Sequence, residues 1–152
     1  MKTLIILSAK PASGKSTWAR KYAARHENCF IVSSDAIRTE LTNDYQDHSK
    51  QKEMWEIFSK RIHEYGAIED STVILDALND LNSLRVKYVK DNPEFDKYVL
   101  VLISCPNWLC RLRNKRRKKA VRVPKDIMNG LLHKFEEPDD KTLSLFDEVI
   151  KL

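Results

Sequence analysis

Near its start the chain carries four apolar residues, Leu4-Ile5-Ile6-Leu7, and six positions later reaches Ser13-Gly14-Lys15-Ser16-Thr17. A short continuous apolar run marks a strand buried on both faces. A helical pattern then opens at Thr17 and continues to Glu27. Strand, glycine-bearing turn and helix in that order constrain the fold more than any other part of the sequence. Gly14 lets the backbone approach a phosphate and take φ values closed to larger residues. Consecutive amides and the helix N-terminus cradle a β-phosphate, Lys15 reaches the β- and γ-phosphates, and Ser16 offers a hydroxyl to Mg²⁺. The pattern G-x-x-x-x-G-K-[ST] places its first glycine at position 9, where Ala9 stands; that position needs a small residue more than a positive φ. Ser13, Gly14, Lys15, Ser16 and Thr17 are the candidate nucleotide-binding residues, with Ser16 the candidate metal ligand.

Further strands follow at Phe30–Val32, Val73–Leu75 and Tyr98–Ile103, with a terminal one over Phe146–Leu152. Between them, residues 49–68 place Met54, Trp55, Phe58, Ile62 and Tyr65 at helical spacing, a core-packing stripe. Leu81–Val89 reads as a helix, and Pro106 and Pro124 each stand at a helix start. Strands that alternate with helices and lack polar alternation indicate a parallel sheet covered on both sides. At 152 residues, with no repeat or low-complexity linker, the expectation is one α/β domain. No apolar run approaches the roughly 18 residues that span a bilayer, and the apolar start is too short for a secretory signal. Three cysteines, Cys29, Cys105 and Cys110, match no zinc spacing and point to a reduced, cytoplasmic setting. Cys29 and Cys105 border strands and are expected to be buried. The four histidines fall singly and are expected at the surface, and Asn43–Ser49 reads as a polar loop.

The second strand leads to Asp35, with Arg38 three residues on; the third ends at Asp76. In open α/β sheets ligands lie beyond the carboxyl ends of the strands, so both carboxylates face the same crevice as the phosphate loop. Asp35 can take a proton from a hydroxyl that attacks a γ-phosphate, or cap the helix it begins. Arg38 can clamp an anionic group of the acceptor. Asp76 can hold Mg²⁺ or its water, or be a turn residue.

Charge is concentrated in one place. The net charge is +5, from 27 basic and 22 acidic residues, and seven of the basic ones lie between Arg111 and Lys119. The remainder holds 20 basic against 22 acidic residues and is slightly negative. Arg113 and Arg117 are four residues apart and share a helix face, beside Arg116, so a basic lid over roughly 111–123 can bring two arginines to a γ-phosphate. Lys115, Lys118, Lys119 and Arg122 can meet a nucleic-acid backbone, a rival reading that can coexist with the lid, or the segment can be a solvated face.

Four patches resemble the phage-type polynucleotide 5′-kinases and the related small P-loop kinases that include zeta-toxin-like proteins. They are Gly14-Lys15-Ser16-Thr17-Trp18-Ala19-Arg20, Ser34-Asp35-Ala36-Ile37-Arg38, Asp76-Ala77-Leu78-Asn79, and Arg113-Asn114 leading to Arg117. The resemblance implies a P-loop NTPase, kinase-like fold with a sheet of four to five strands, MgATP bound through Lys15 and Ser16, and Asp35 as general base. It implies Arg38 beside the acceptor's phosphate, Asp76 as the third-strand carboxylate and Arg117 as the lid arginine on the ATP phosphates. Leu78 stands where threonine is common. No Asp-x-Asp-Gly-Thr run of the phosphatase half is present, so the family reading is of a kinase alone.

Three function classes remain on these residues. The first is an ATP-dependent kinase acting on a 5′-hydroxyl of DNA or RNA. The second performs the same chemistry on a nucleotide or other small hydroxyl acceptor. The third is a nucleic-acid-binding module with a regulatory P-loop, which would need neither Asp35 nor Arg38. A GTPase is disfavoured because Asn114-Lys115 is followed by two arginines rather than the guanine motif. No membrane partner is expected, and no surface stripe indicates an oligomer.

Overall fold

Continuous apolar runs become interior strands because both faces of the sheet are covered. The computed structural model describes residues 1–152. Its strands are β1 (Thr3–Ala9), β2 (Cys29–Ser33), β3 (Thr72–Asp76), β4 (Lys97–Ile103) and β5 (Glu148–Lys151). All pair in parallel, in the order β2-β3-β1-β4-β5. The helices are α1 (Lys15–Arg25), α2 (Ser34–Thr42), α3 (Gln51–Gly66), α4 (Asn82–Asp91), α5 (Asn107–Lys115), α6 (Lys125–Lys134) and the single turn α7 (Asp140–Leu143). This is the expected α/β sheet with helices on both faces. The strands extend a residue or two past their apolar runs because polar end residues still join the ladder, as Thr3 does opposite Thr72. No helix is long and apolar enough to cross a membrane.

The two faces are covered unequally. On one, Ile37 of α2, Met54, Phe58 and Ile62 of α3 and Tyr88 of α4 bury Leu4, Ile6, Val73, Leu75 and Leu100. Each fully buried large side chain stabilises the fold by about 1.5–3 kcal/mol. On the other face α1 alone lays Trp18, Ala19 and Tyr22 over Ile5, Leu7, Ile74, Val99 and Val101. Because β2 is an edge strand, Cys29 is only partly covered, contrary to the buried position expected for it; Cys105 is buried as expected.

Polar groups at the carboxyl end of the sheet are braced from below. Arg85 of α4 is fully buried and donates from Nε to Ser8 Oγ (3.0 Å) and Asn79 O (2.9 Å). Its Nη1 bonds Asn82 Oδ1 (2.8 Å) and its Nη2 bonds Glu136 O (2.7 Å). Burial pulls its pKa down, while the nearby charge of Asp80 opposes that shift. Asn79, in the left-handed region at φ 46°, donates from Nδ2 to Leu7 O at 2.6 Å. One arginine and one asparagine thus join the β3–α4 turn, the end of β1 and the segment after α6.

Candidate active site

Parallel pairing brings the three chemistry-bearing strand ends to one edge in the order β2, β3, β1. Ala9 is the last residue of β1, fully buried, and its amide bonds Leu78 O at 3.0 Å. It is strand, so alanine there meets no conformational penalty. Positive φ appears instead at Ala12 (60°) and Gly14 (97°). Gly14 is required by conformation rather than by room, since a Cβ there would find its nearest neighbour, Arg113 Nη1, at 4.0 Å. Ala12 holds a conformation that costs an L-residue about 1–2 kcal/mol, a strain that the sequence pattern did not flag.

The phosphate loop closes against β3. Ser16 Oγ donates to Asp76 Oδ2 at 2.8 Å, and Lys15 Nζ lies 3.2 Å from Asp76 Oδ1. The side chains of this ion pair are 12% and 5% exposed, so it is screened far less than a surface pair. Ser13 Oγ is buried with no partner, and such an orphaned hydroxyl beside a phosphate loop suits an anionic ligand. A hydroxyl and a carboxylate are hard oxygen donors, the set that holds Mg²⁺ together with waters and phosphate oxygens. Ser16 and Asp76 therefore fit that ion.

Above the loop lies a cavity of 420 Å³ lined by Ala12, Ser13, Gly14, Thr17, Arg113 and Arg117. Both lid arginines reach it, though by different means. Arg113 belongs to α5, and its Nη1 donates to Ser13 O at 3.1 Å. Arg117 lies past the end of α5, in a turn whose amide returns to Asn114 O at 3.1 Å. The expected lid is thus part helix and part loop, with a 3₁₀ turn at Lys119–Val121. Asn114 straps it: its Nδ2 donates to Val123 O (2.8 Å) and its Oδ1 accepts from Val123 N (3.0 Å). Beneath the strap Ala12, Cys105, Cys110, Val123, Met128 and Leu132 pack together. Burial there, with a hydrogen bond to Cys105, pushes the Cys110 thiol up to about 12. A second cavity, of 230 Å³, opens beside the loop on the β4–β5 side, where Lys10, Phe135 and Pro138 are among its walls.

On the β2 side Asp35 stands in the first turn of α2 rather than on the strand. Ser33 is the cap, its Oγ accepting from Ala36 N at 3.2 Å, and this leaves the Asp35 carboxylate free of capping. The carboxylate is 47% exposed; Oδ1 accepts from Arg38 Nη1 at 2.8 Å, and Oδ2 takes no hydrogen bond from the protein. Arg38 is buried, its Nη1 also bonding Tyr45 O (3.0 Å) and its Nε bonding Gln51 Oε1 (3.2 Å). Its Nη2 donors stay unbonded.

The Asn43–Ser49 stretch is more than the polar loop expected. Tyr45 donates its hydroxyl to Val121 O, and Gln46 Nε2 donates to Arg122 O at 3.2 Å, so this loop joins the Asp35 side to the lid. Burial raises the Tyr45 pKa; Asp35 adds to that, and Arg117 opposes it. Tyr45 is therefore flanked by both charged candidates. The only hint in the sequence is that it is the one aromatic residue of its loop. All four histidines, His26, His48, His63 and His133, are exposed, as expected, and His48 Nδ1 lies 3.1 Å from Gln51 Oε1.

Residues 4–138 match the AAA domain family. No curated protein matches the chain. Among solved structures, Kti12 of Chaetomium thermophilum, in complex with ADP-AlF3, is 17% identical with a TM-score of 0.72, over 98% of this chain and 88% of that one. A chain of the Pnkp1/Rnl/Hen1 RNA repair complex is 22% identical with a TM-score of 0.76, over 96% of this chain but 46% of its own length. A gluconokinase from Sinorhizobium meliloti 1021 is 15% identical with a TM-score of 0.63, over 99% and 81%. Likeness at these identities establishes a shared P-loop kinase-like fold.

Proposed function

This chain belongs to the AAA domain family, and from that premise we propose that it is an ATP-dependent phosphotransferase that moves a γ-phosphate to the 5′-hydroxyl end of DNA or RNA. The observation that carries the proposal is the meeting of Lys15, Ser16 and Asp76 under a cavity that Arg113 and Arg117 also line. Only a polyphosphate would use all of these groups at once. Lys15 binds the β- and γ-phosphates, and the two arginines offset charge on the transferring group. Mg²⁺, held by Ser16 and Asp76, would neutralise phosphate charge when bound. The 230 Å³ cavity beside Lys10 and Phe135 would take the donor's base.

The acceptor hydroxyl is placed at Asp35. Its oxygen forms the new bond to the γ-phosphorus as the bond to the ADP oxygen breaks, and its proton passes to Asp35 Oδ2. Arg38 fixes the carboxylate through Oδ1. Support for a polynucleotide comes from the density of cations between Arg111 and Lys119 and from the similar fold in an RNA repair complex. One observation favours a small hydroxyl acceptor instead: Arg38 is buried and bonded within the protein, which leaves only Nη2 for an acceptor phosphate. The similar fold of a gluconokinase fits that second reading.

The test is transfer of γ-labelled phosphate from ATP to 5′-hydroxyl oligo-DNA, oligo-RNA, 3′-nucleoside monophosphates and free nucleosides, with Asp35→Ala alongside. Label on oligonucleotide ends, lost in the variant while ATP binding persists, is the expected result. ATP binding without labelled oligonucleotide moves the function to a small acceptor. Turnover retained by Asp35→Ala removes its role as base.

A further inference from the structure

Helix α5 has an inner and an outer face. Cys110 and Asn114 are buried, and Arg113 turns onto the phosphate loop. Outward, at spacings of three and four residues, stand Trp108, Arg111 and Lys115, all exposed. Trp108 is 65% exposed, and its indole N–H has no partner in the protein. A tryptophan is the most expensive side chain to leave in water, and it usually finds both cover and a hydrogen bond.

Two further observations bear on this face. None of the seven basic residues between Arg111 and Lys119 forms an ion pair, although seven such pairs exist elsewhere in the chain. Their field is left uncompensated on a chain whose remainder is slightly acidic. Second, Asn107, the residue before Trp108, accepts from Lys10 Nζ at 2.8 Å. This bond ties the start of α5 to the loop that leads into the phosphate site. The outer face therefore runs from Lys118 and Lys119, next to Arg117 at the phosphate cavity and to the turn whose Val121 O meets Tyr45, back to Trp108 at the other end of α5.

We propose that this face is a binding surface for single-stranded nucleic acid, with a base stacked on Trp108 and backbone phosphates held by Arg111, Lys115, Lys118 and Lys119. It rests on the polynucleotide reading above and extends it from the reacting end to the strand behind that end. A single aromatic ring among cations matches a base with its phosphates, since every base offers a π-face and every linkage a charge. An acidic peptide would use the cations and leave the indole unmatched. Leu109 and Leu112 are already partly covered, so no apolar groove surrounds Trp108 for a protein partner.

Binding can be measured on the full chain without nucleotide, by the fluorescence anisotropy of a labelled 5′-hydroxyl oligo-dT at low salt. Trp108→Ala should weaken binding about tenfold, within the range for loss of one base stack, and Trp108→Phe should stay close to wild type. The pair Arg111→Glu and Lys115→Glu should flatten the salt dependence. In turnover, Trp108→Ala should raise KM for an oligonucleotide and leave kcat, KM for ATP and KM for a 3′-nucleoside monophosphate unchanged. Wild-type protein that binds no oligonucleotide, a Trp108→Ala variant that binds as tightly as wild type, or a rise in KM for ATP in its place would each overturn the proposal. The two readings fail separately. Trp108-dependent binding without label transfer leaves the surface standing and removes the polynucleotide kinase, whereas oligonucleotide phosphorylation that ignores Trp108 does the reverse.

Discussion

The phosphate loop and the lid both present cations to one cavity, and they hold them in opposite ways. Lys15 is already paired with Asp76 at 3.2 Å, low in the fold and attached to two interior strands. Arg113 and Arg117 meet no carboxylate; Arg113 rests on the carbonyl of Ser13, and the Arg117 turn is strapped by Asn114. The cation of the loop is thus paired without a ligand and only the Ser13 hydroxyl is left open there, while the charge of the lid is left for a ligand to satisfy. A site arranged this way keeps its ground-state geometry fixed and leaves its uncompensated charge open to an anionic ligand.

The largest effects should come from breaking that contrast directly. Asp76→Asn should slow transfer about a thousandfold and lower stability by about 2 kcal/mol, because it leaves Lys15 half-buried and unpaired. Arg117→Ala should slow transfer about a hundredfold yet shift stability by no more than about 0.5 kcal/mol. Chemical denaturation and steady-state kinetics on both variants check this, and equal stability losses would mean that the lid is as integral to the fold as the loop.

Arg85 spans the two regions, since it bonds Asn79 beside the loop and Glu136 beyond α6. Arg85→Met should cost about 3 kcal/mol, with several buried acceptors orphaned at once, measured as a fall in Tm. If stability survives and only turnover drops, the brace serves geometry rather than folding. Tyr45→Phe removes the bond to Val121 and should slow transfer about fivefold at a stability cost of about 1 kcal/mol; unchanged kinetics would separate the Asn43–Ser49 loop from the lid.

The smallest effect concerns the root of the lid. With its pKa raised to about 12, the Cys110 thiol is protonated throughout the neutral range. Alkylation at pH 8 should therefore be slow at Cys110 and faster at the partly covered Cys29. Rapid labelling of Cys110 that ATP suppresses would show that the root opens with the lid.

The interior strands were legible from Leu4–Leu7, Val73–Leu75 and Tyr98–Ile103 because burial on both faces demands unbroken apolar runs. The phosphate loop was legible because its chemistry depends on residues adjacent in sequence. Asp35, Asp76, Arg113 and Arg117 could be named as candidates from their positions after strands or within the basic segment. Apart from the Asp35–Arg38 pair, three residues apart, their bonding could not, because it joins distant parts of the chain. That Ser33 rather than Asp35 caps α2, and that Arg38 is turned inward onto Tyr45, depends on how α2 and the following loop dock.

Sequence by itself determined the parallel α/β architecture and the phosphate loop, because periodicity and local spacing encode burial and short-range chemistry. Tertiary structure alone decided that Ala12 rather than Ala9 bears the strained backbone, that Asn114 straps the lid, that Tyr45 latches it, and that Trp108 stays uncovered. Each of these depends on which polar or apolar group arrives opposite once the strands are in register, and no local pattern carries that information.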